Sequence, residues 1–383
     1  MEAVPPVRLA RVETVVLRMA LERPMRASFG VMDARCALLI RVEDAEGAHG
    51  WGETWCNWPT YGPEHRALTI EHTLAPIAFE AARTPAELFE ELTRRTAVLA
   101  IQTGEHGPIA QAIGGLDMAV WDVVARRAGR PLCDVLGARG RTVLAYASGI
   151  AQGDADAFIA RERAFGHCRF KLKLGFGREA DLEAVDAMRA RLEPGEHFML
   201  DANQAWDVDG ACAMAETIAA RGEPPLWLEE PVRADTAWDD WSPIAEAGVR
   251  LAGGENLAGR DAFDRAIDAG ALGVVQPDAG KWGGVTGCLA VARSAREAGR
   301  LYCPHHLGGA VGLYAAAHLT AAGGDPNSIL EMDVNPNPLR EAMAPPLPVR
   351  DGTVTLPDAP GLGIEPNLDA LADYVARRGE TRA

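Results

Sequence analysis

Residues 169–176 read "RFKLKLGF". Phe170, Leu172 and Leu174 are apolar and Lys171 and Lys173 stand between them, which is the period-two alternation of a strand. On an antiparallel edge such a strand would simply show its lysines to water. Its neighbours argue otherwise. From about Arg141 short apolar segments alternate with helical ones: "TVLAYAS", "CRFKLKLG", "HFMLDAN", "LWLEEP", "VRLAGGEN", "GVVQPD", "LYCPH" and "SILEMD". Eight strands separated by helices predict a closed parallel barrel rather than an open sheet. The two lysines then point toward a barrel mouth.

The other strands end in the same manner. Asp201 and Asn203, Glu229 and Glu230, Glu255 and Asn256, Asp278, His305 and Glu331 follow in order. In an α/β barrel the C-terminal strand ends build the active-site face, so polar groups placed there in series read as chemistry. Asp201, Glu229 and Glu255 end three consecutive strands and are expected to converge on one point. Three converging carboxylates repel unless a cation sits among them. An all-oxygen set suits a hard ion, and Mg²⁺ leaves positions open for water and substrate. The competing reading is of three acids that cap helices or face solvent. Two lysines two apart are expected to lower each other's pKa, a nearby divalent cation more so, leaving one neutral enough to take a proton. Asp278 beside His305 suits a dyad, the carboxylate fixing the tautomer of the imidazole.

Outward from the barrel, the chain before it reads as α+β. "VRLARVETVVLRM" and "ARCALLIRVEDAEGAHGWGE" predict strands, and helical periodicity runs from about Glu64 to Ala128. The tail after about Pro345, with "DGTVTLPDAPGLGI", is strand-like and is expected to return to this first unit. The expected division is a cap over 1–138, a barrel over 139–345 and a returning segment over 346–383. A net charge of −16 argues against nucleic acid and anionic membrane surfaces as partners, and makes local cations necessary for an anionic substrate. The N-terminus lacks a basic-then-apolar signal and no long apolar run suggests a membrane span. Seven scattered cysteines without CxxC spacing suit a reduced, cytoplasmic protein.

"KLK", "DAN", "EEP", "GEN", "PDAGKWGG" and "PHH", on the second to seventh strands, together resemble the enolase superfamily, and within it the mandelate racemase-like subgroup (mandelate racemase/muconate lactonizing enzyme family). The resemblance covers nearly the whole chain. It implies a modified TIM barrel, (β/α)7β, with an N-terminal α+β capping domain completed by the C-terminal tail. It implies Mg²⁺ on Asp201, Glu229 and Glu255, with Asn203, Glu230 and Asn256 orienting those ligands. It implies Lys173 as a base, Lys171 as a neutralising cation, and Asp278–His305 as a second base across the substrate. His306 is the rival of His305 and otherwise a pocket-wall residue. Glu331 is implied to bond the substrate carboxylate or enediolate, with Asp333 as its rival. Lys281 follows Asp278 by three residues and is expected to be structural; pointing into the site, it would instead imply the muconate-cycloisomerase and dipeptide-epimerase branches, which use a sixth-strand lysine as the second base.

The implied reaction begins with removal of the proton α to a carboxylate. Relatives carrying both KxK and Asp–His are largely sugar-acid dehydratases, so dehydration to a 2-keto-3-deoxy acid leads, ahead of racemisation or epimerisation. A non-catalytic carboxylate-binding member of the fold is the alternative from another class. The cap loops "RPMRASFG" (23–30) and "WCNWPTYG" (55–62) match those that close over the barrel in relatives. Arg23 and Arg26 are the candidates for a distal carboxylate, and Trp55, Trp58 and Tyr61 for an apolar wall. The expected partner is a small carboxylate, and relatives are usually homo-oligomers.

Overall fold

The computed structural model describes residues 4–27, 30–150 and 155–383, and the side chains of 22, 23 and 25–27 lie outside the description. The cap is an antiparallel sheet of β1 (Leu9–Ala27), β2 (Gly30–Asp44) and β3 (His49–Thr54). Its helices include Pro85–Thr103, opened by a Thr84–Glu87 capping box, and His106–Arg127. β3 lies directly on the latter helix. A Cβ at Gly52 would fall inside contact distance of the Gly115 carbonyl oxygen, so the glycines of "HGWGE" and "IGGL" are what let strand and helix meet.

Eight parallel strands follow: β4 (Thr142–Ile150), β5 (Arg169–Lys173), β6 (His197–Asp201), β7 (Leu228–Glu229), β8 (Leu251–Gly253), β9 (Leu272–Val275), β10 (Leu301–Tyr302) and β11 (Ile329–Asp333). They pair in chain order from β4 to β10, and β11 lies against the other edge of β4. Between β10 and β11 the Ile329 N–H donates to Cys303 Sγ. One helix separates each successive pair of strands, which is the (β/α)7β order.

Alternation explains the lysines. Phe170, Leu172 and Leu174 are buried against the helical layer, in one cluster with Leu182, Val185 and Met188. The opposite parity points into the barrel, whose floor is Tyr146, Met199, Trp227, Ala252, Val274, Cys303 and Ile329. Two residues further along six of these strands stand Ser148, Asp201, Glu229, Gln276, His305 and Glu331. The apolar plug thus becomes a polar mouth within one step of the pleat.

The tail divides, contrary to the expectation that residues 346–383 return to the cap as one segment. β12 (Val349–Arg350) and β13 (Thr353–Thr355) form a hairpin that adds antiparallel to the start of β4, because the unpaired N-terminal end of that strand offers free ladder groups. The rest of the tail does return to the cap: Gly361 bridges Pro131, Leu362 N–H donates to Asp122, Glu365 accepts from Trp51 Nε1, and β14 (Val375–Arg382) pairs with β1. Among the described residues no helix is long and apolar enough to cross a membrane.

Candidate active site

Lys171 is fully buried above the barrel floor, with its ammonium 5.3 Å over the Tyr146 ring. Its Nζ donates to both oxygens of Glu229 at 2.9 Å and pairs with Glu331 at 2.7 Å. Lys173, one step nearer the mouth, keeps 30% of its side chain exposed and pairs with Asp201 Oδ2 at 2.5 Å. Burial opposes the charge on both lysines, but Glu229, Glu331 and Asp201 outweigh it at Lys171, and Asp201 and Glu229 at Lys173, so both pKa values lie above the ordinary lysine value. This corrects the expected lowering: at Lys173 the attraction of Asp201 outweighs the repulsion of Lys171.

Asp201, Glu229 and Glu255 stand at one mouth, yet among the described residues no three His, Cys, Asp or Glu groups close around a single point. Each carboxylate instead turns to its own cation. Glu255 takes His305 Nε2 at 2.6 Å and Lys281 Nζ at 2.9 Å. Burial works against its charge, but His305 and Lys281 hold its pKa well below the usual carboxylate range. Glu229 is pushed up by burial and by Asp201. The donor set is nevertheless all oxygen, with Asp201 and Glu229 directly opposite one another across β6 and β7. That chemistry fits a hard divalent ion.

The surrounding groups orient these oxygens. Asn256 Nδ2 donates to Glu230 at 2.9 Å and to Glu255 at 3.1 Å, and the Asn203 N–H donates to Asp201 Oδ1 at 2.9 Å. Four non-glycine residues are described with positive φ, and three of them, Asn203, Gln204 and Glu230, flank this set. Such backbone strain persists where surrounding structure imposes it.

On the sixth and seventh strands, His305 Nδ1 lies 2.6 Å from Asp278 Oδ2. Burial opposes the imidazolium, but Glu255, Glu331 and Asp278 raise the His305 pKa well above its ordinary value. His306 makes a different set of contacts: its ring Nε2 faces the Gly309 carbonyl at 3.1 Å and its backbone N–H donates to Glu331 at 3.3 Å. Glu331 and Asp333 separate as clearly. Glu331 takes Lys171 and the Ser148 hydroxyl (2.5 Å), whereas Asp333 takes Arg35 and Arg340. Lys281 departs from its expected structural place, since its ammonium reaches Glu255 and lies 4.8 Å over the Trp55 ring. Its backbone begins a turn whose N–H groups bond Asp278 Oδ1, and the long side chain folds back over the mouth.

Of the cap residues, Trp55 stands at the mouth, its N–H bonded to the Gly280 carbonyl. Trp58 is 42% and Tyr61 72% exposed, so Tyr61 walls nothing in this arrangement. The side chains of Arg23 and Arg26 lie outside the described residues.

Several site residues escaped the motif reading. Gln276 Nε2 (2.9 Å) and Trp227 Nε1 (3.3 Å) both donate to Glu229 Oε2. Gln276 had a signal, a polar side chain two residues before Asp278 on the same inward parity. Two buried cap acids had none. Glu53, at the end of β3, accepts from the N–H groups of Gly309 and Gly312, which open the helix after β10. Asp117 accepts from Thr286 N (2.9 Å) and Oγ1 (2.6 Å), at the start of the helix after β9. Each places a carboxylate on a helix N-terminus, where the dipole favours it. Together they tie the cap to the two loops that carry Asp278, Lys281 and the histidines.

Residues 11–137 match the mandelate racemase / muconate lactonizing enzyme N-terminal domain, and residues 155–370 match the family described as enolase C-terminal domain-like. The chain therefore belongs to the mandelate racemase/muconate lactonizing enzyme family of the enolase superfamily. A D-galactarolactone cycloisomerase from Agrobacterium fabrum is 31% identical over 96% of this chain and 98% of its own. The crystal structure of a mandelate racemase/muconate lactonizing enzyme from Bordetella bronchiseptica is 46% identical with a TM-score of 0.90, over 96% of this chain and 99% of that one. An L-talarate dehydratase from a Polaromonas species, complexed with Mg and L-glucarate, is 25% identical with a TM-score of 0.84, over 98% and 99%.

Proposed function

We propose that this enzyme is an acid-sugar dehydratase that removes the proton α to a carboxylate and then expels a β-hydroxyl as water. The carrying observation is the pair of opposed proton-transfer groups: Lys171 and Lys173 on β5, and the 2.6 Å Asp278–His305 pair beyond β9 and β10. Similarity to a dehydratase and to a sugar-lactone cycloisomerase supports an acid sugar as substrate.

Asp201, Glu229 and Glu255 are the residues that would hold Mg²⁺. Bound there, the ion would supply Lewis-acid neutralisation of the substrate carboxylate, and Asp201 turned toward it would leave Lys173 free to act as a neutral base. Lys173 takes the α-proton. Lys171, locked between Glu229 and Glu331, stays charged beside the developing enediolate. His305 gives its proton to the β-hydroxyl, the C–O bond breaks, and water leaves with the bonding electrons. The resulting enol tautomerises to the 2-keto-3-deoxy acid, so one sugar acid yields one keto acid and one water. Asp278 keeps the imidazole oriented throughout.

The test is NMR in D₂O with the Mg²⁺-loaded enzyme and a panel of acid sugars. Exchange of the α-proton in wild type and its loss in Lys173→Ala are expected. Exchange that survives both Lys173→Ala and His305→Asn would defeat the two-base scheme.

A further inference from the structure

The cap sends one more cation to the end of β11. Arg35, on β2, is 1% exposed, yet among the described residues its guanidinium makes a single hydrogen bond, from Nη2 to Asp333 Oδ2 at 3.2 Å. Its Nε and Nη1 are buried without a partner among the described residues. A guanidinium is a rigid set of five donors that cannot shed its charge, and buried charged donors left unmet are among the most costly features a fold can carry.

Asp333 does not make up the deficit. The same Oδ2 also receives Arg340 Nη1 at 3.2 Å, while Oδ1 receives Asn335 Nδ2 at 2.9 Å and Asn335 N at 3.2 Å. One carboxylate therefore serves two guanidiniums. The only other acid at ion-pair distance from this trio, among the described residues, is Glu341. It is 59% exposed and lies 4.0 Å from Arg340. Arg35 is thus a buried cation with donors in excess of acceptors.

Its position indicates what the missing acceptor is. Asp333 follows Glu331 by two residues on β11, so alternation puts it on the same inward side, roughly 7 Å nearer the mouth. Glu331 in turn holds Lys171. A five- or six-carbon acid whose reacting carboxylate lies beside Lys171 extends over a comparable length, which brings its far end toward the Asp333 end of β11, where Arg35 stands. Resting on the reaction proposed above, we infer that Arg35 is a specificity residue that binds the distal carboxylate of a sugar diacid. A distal hydroxyl would take one donor and leave the excess charge. A carboxylate accepts from several N–H groups and neutralises it.

Calorimetric titration of the Mg²⁺-loaded protein with glucarate and galactarate, and with gluconate and galactonate, tests this. Wild type is expected to bind at least one diacid about 30-fold or more tighter than the matching monoacid, and Arg35→Gln to remove most of that preference, as loss of a buried charge pair does. Arg35→Lys retains a charge for Asp333 but presents a single ammonium, and is expected to restore only part of the preference. If Arg35→Gln does not fold, the lysine variant decides alone, with the same direction expected. A diacid-to-monoacid ratio identical in wild type and variants, or a wild type that prefers no diacid, overturns the inference. α-Proton exchange separates the two proposals. Diacid binding through Arg35 with exchange indifferent to Lys173→Ala refutes the reaction and leaves this site standing. Exchange that depends on Lys173, with binding indifferent to Arg35, refutes this site alone.

Discussion

Asp117 offers a measurement of how the cap is locked to the barrel. It is 3% exposed, accepts two hydrogen bonds from Thr286, and is pushed by burial from 3.8 up to about 7, its bonds to Thr286 only partly offsetting the desolvation. An acid whose folded pKa is raised contributes most stability when protonated: the contribution is complete below the unfolded pKa near 3.8 and is lost as pH rises to about 7. At about 1.4 kcal/mol per pH unit the whole loss is about 4 kcal/mol, of which about 2–3 kcal/mol falls between pH 5 and pH 8. Asp117→Asn keeps the shape, with an amide oxygen for Thr286 N and an amide N–H for Thr286 Oγ1, and removes the ionisation. The variant should gain about 2–3 kcal/mol over wild type between pH 5 and pH 8. Urea unfolding of both proteins at the two pH values, at fixed Mg²⁺, measures it. A stability difference that does not change with pH would show that Asp117 ionises freely in the fold and that burial does not dominate its charge.

Gln276→Leu removes an amide that holds Glu229 Oε2 and should weaken Mg²⁺ binding by about 10–100-fold, read by calorimetry; unchanged affinity would make Gln276 a bystander. His305→Asn should lower kcat by about 10²–10⁴-fold, with Asp278→Asn a weaker version of the same defect, because the ring remains but loses its orienting carboxylate. His306→Asn should affect turnover less than either, since its ring nitrogen faces the Gly309 carbonyl; the reverse order in steady-state kinetics would exchange the two histidines' roles.

Much of the barrel was legible because each strand carries its own evidence. In "RFKLKLGF" the apolar residues must go to the helical layer and the lysines to the interior, and the pleat leaves no third choice. The same rule put Asp201, Glu229, His305 and Glu331 at the mouth, each two residues beyond a buried floor residue. Only the hairpin at the start of the tail departs from the expected return to the cap, for a related reason. "DGTVT" announces a strand, but which unpaired edge it joins depends on where β4 leaves ladder groups free.

Sequence by itself determined which elements form, which side of each faces inward, and hence the set of groups crowded at one end of the barrel. Tertiary structure alone decided how those groups pair. Glu255 turns to His305 and Lys281, Lys281 folds back over Trp55, and Glu53, Asp117 and Arg35 arrive from a different domain. The physical reason is one of range. The pleat fixes a side chain's direction relative to its own backbone, within a few residues. The partner that neutralises a buried charge is set by which surfaces pack together, and for Arg35 and Asp333 those surfaces lie 298 residues apart in the chain.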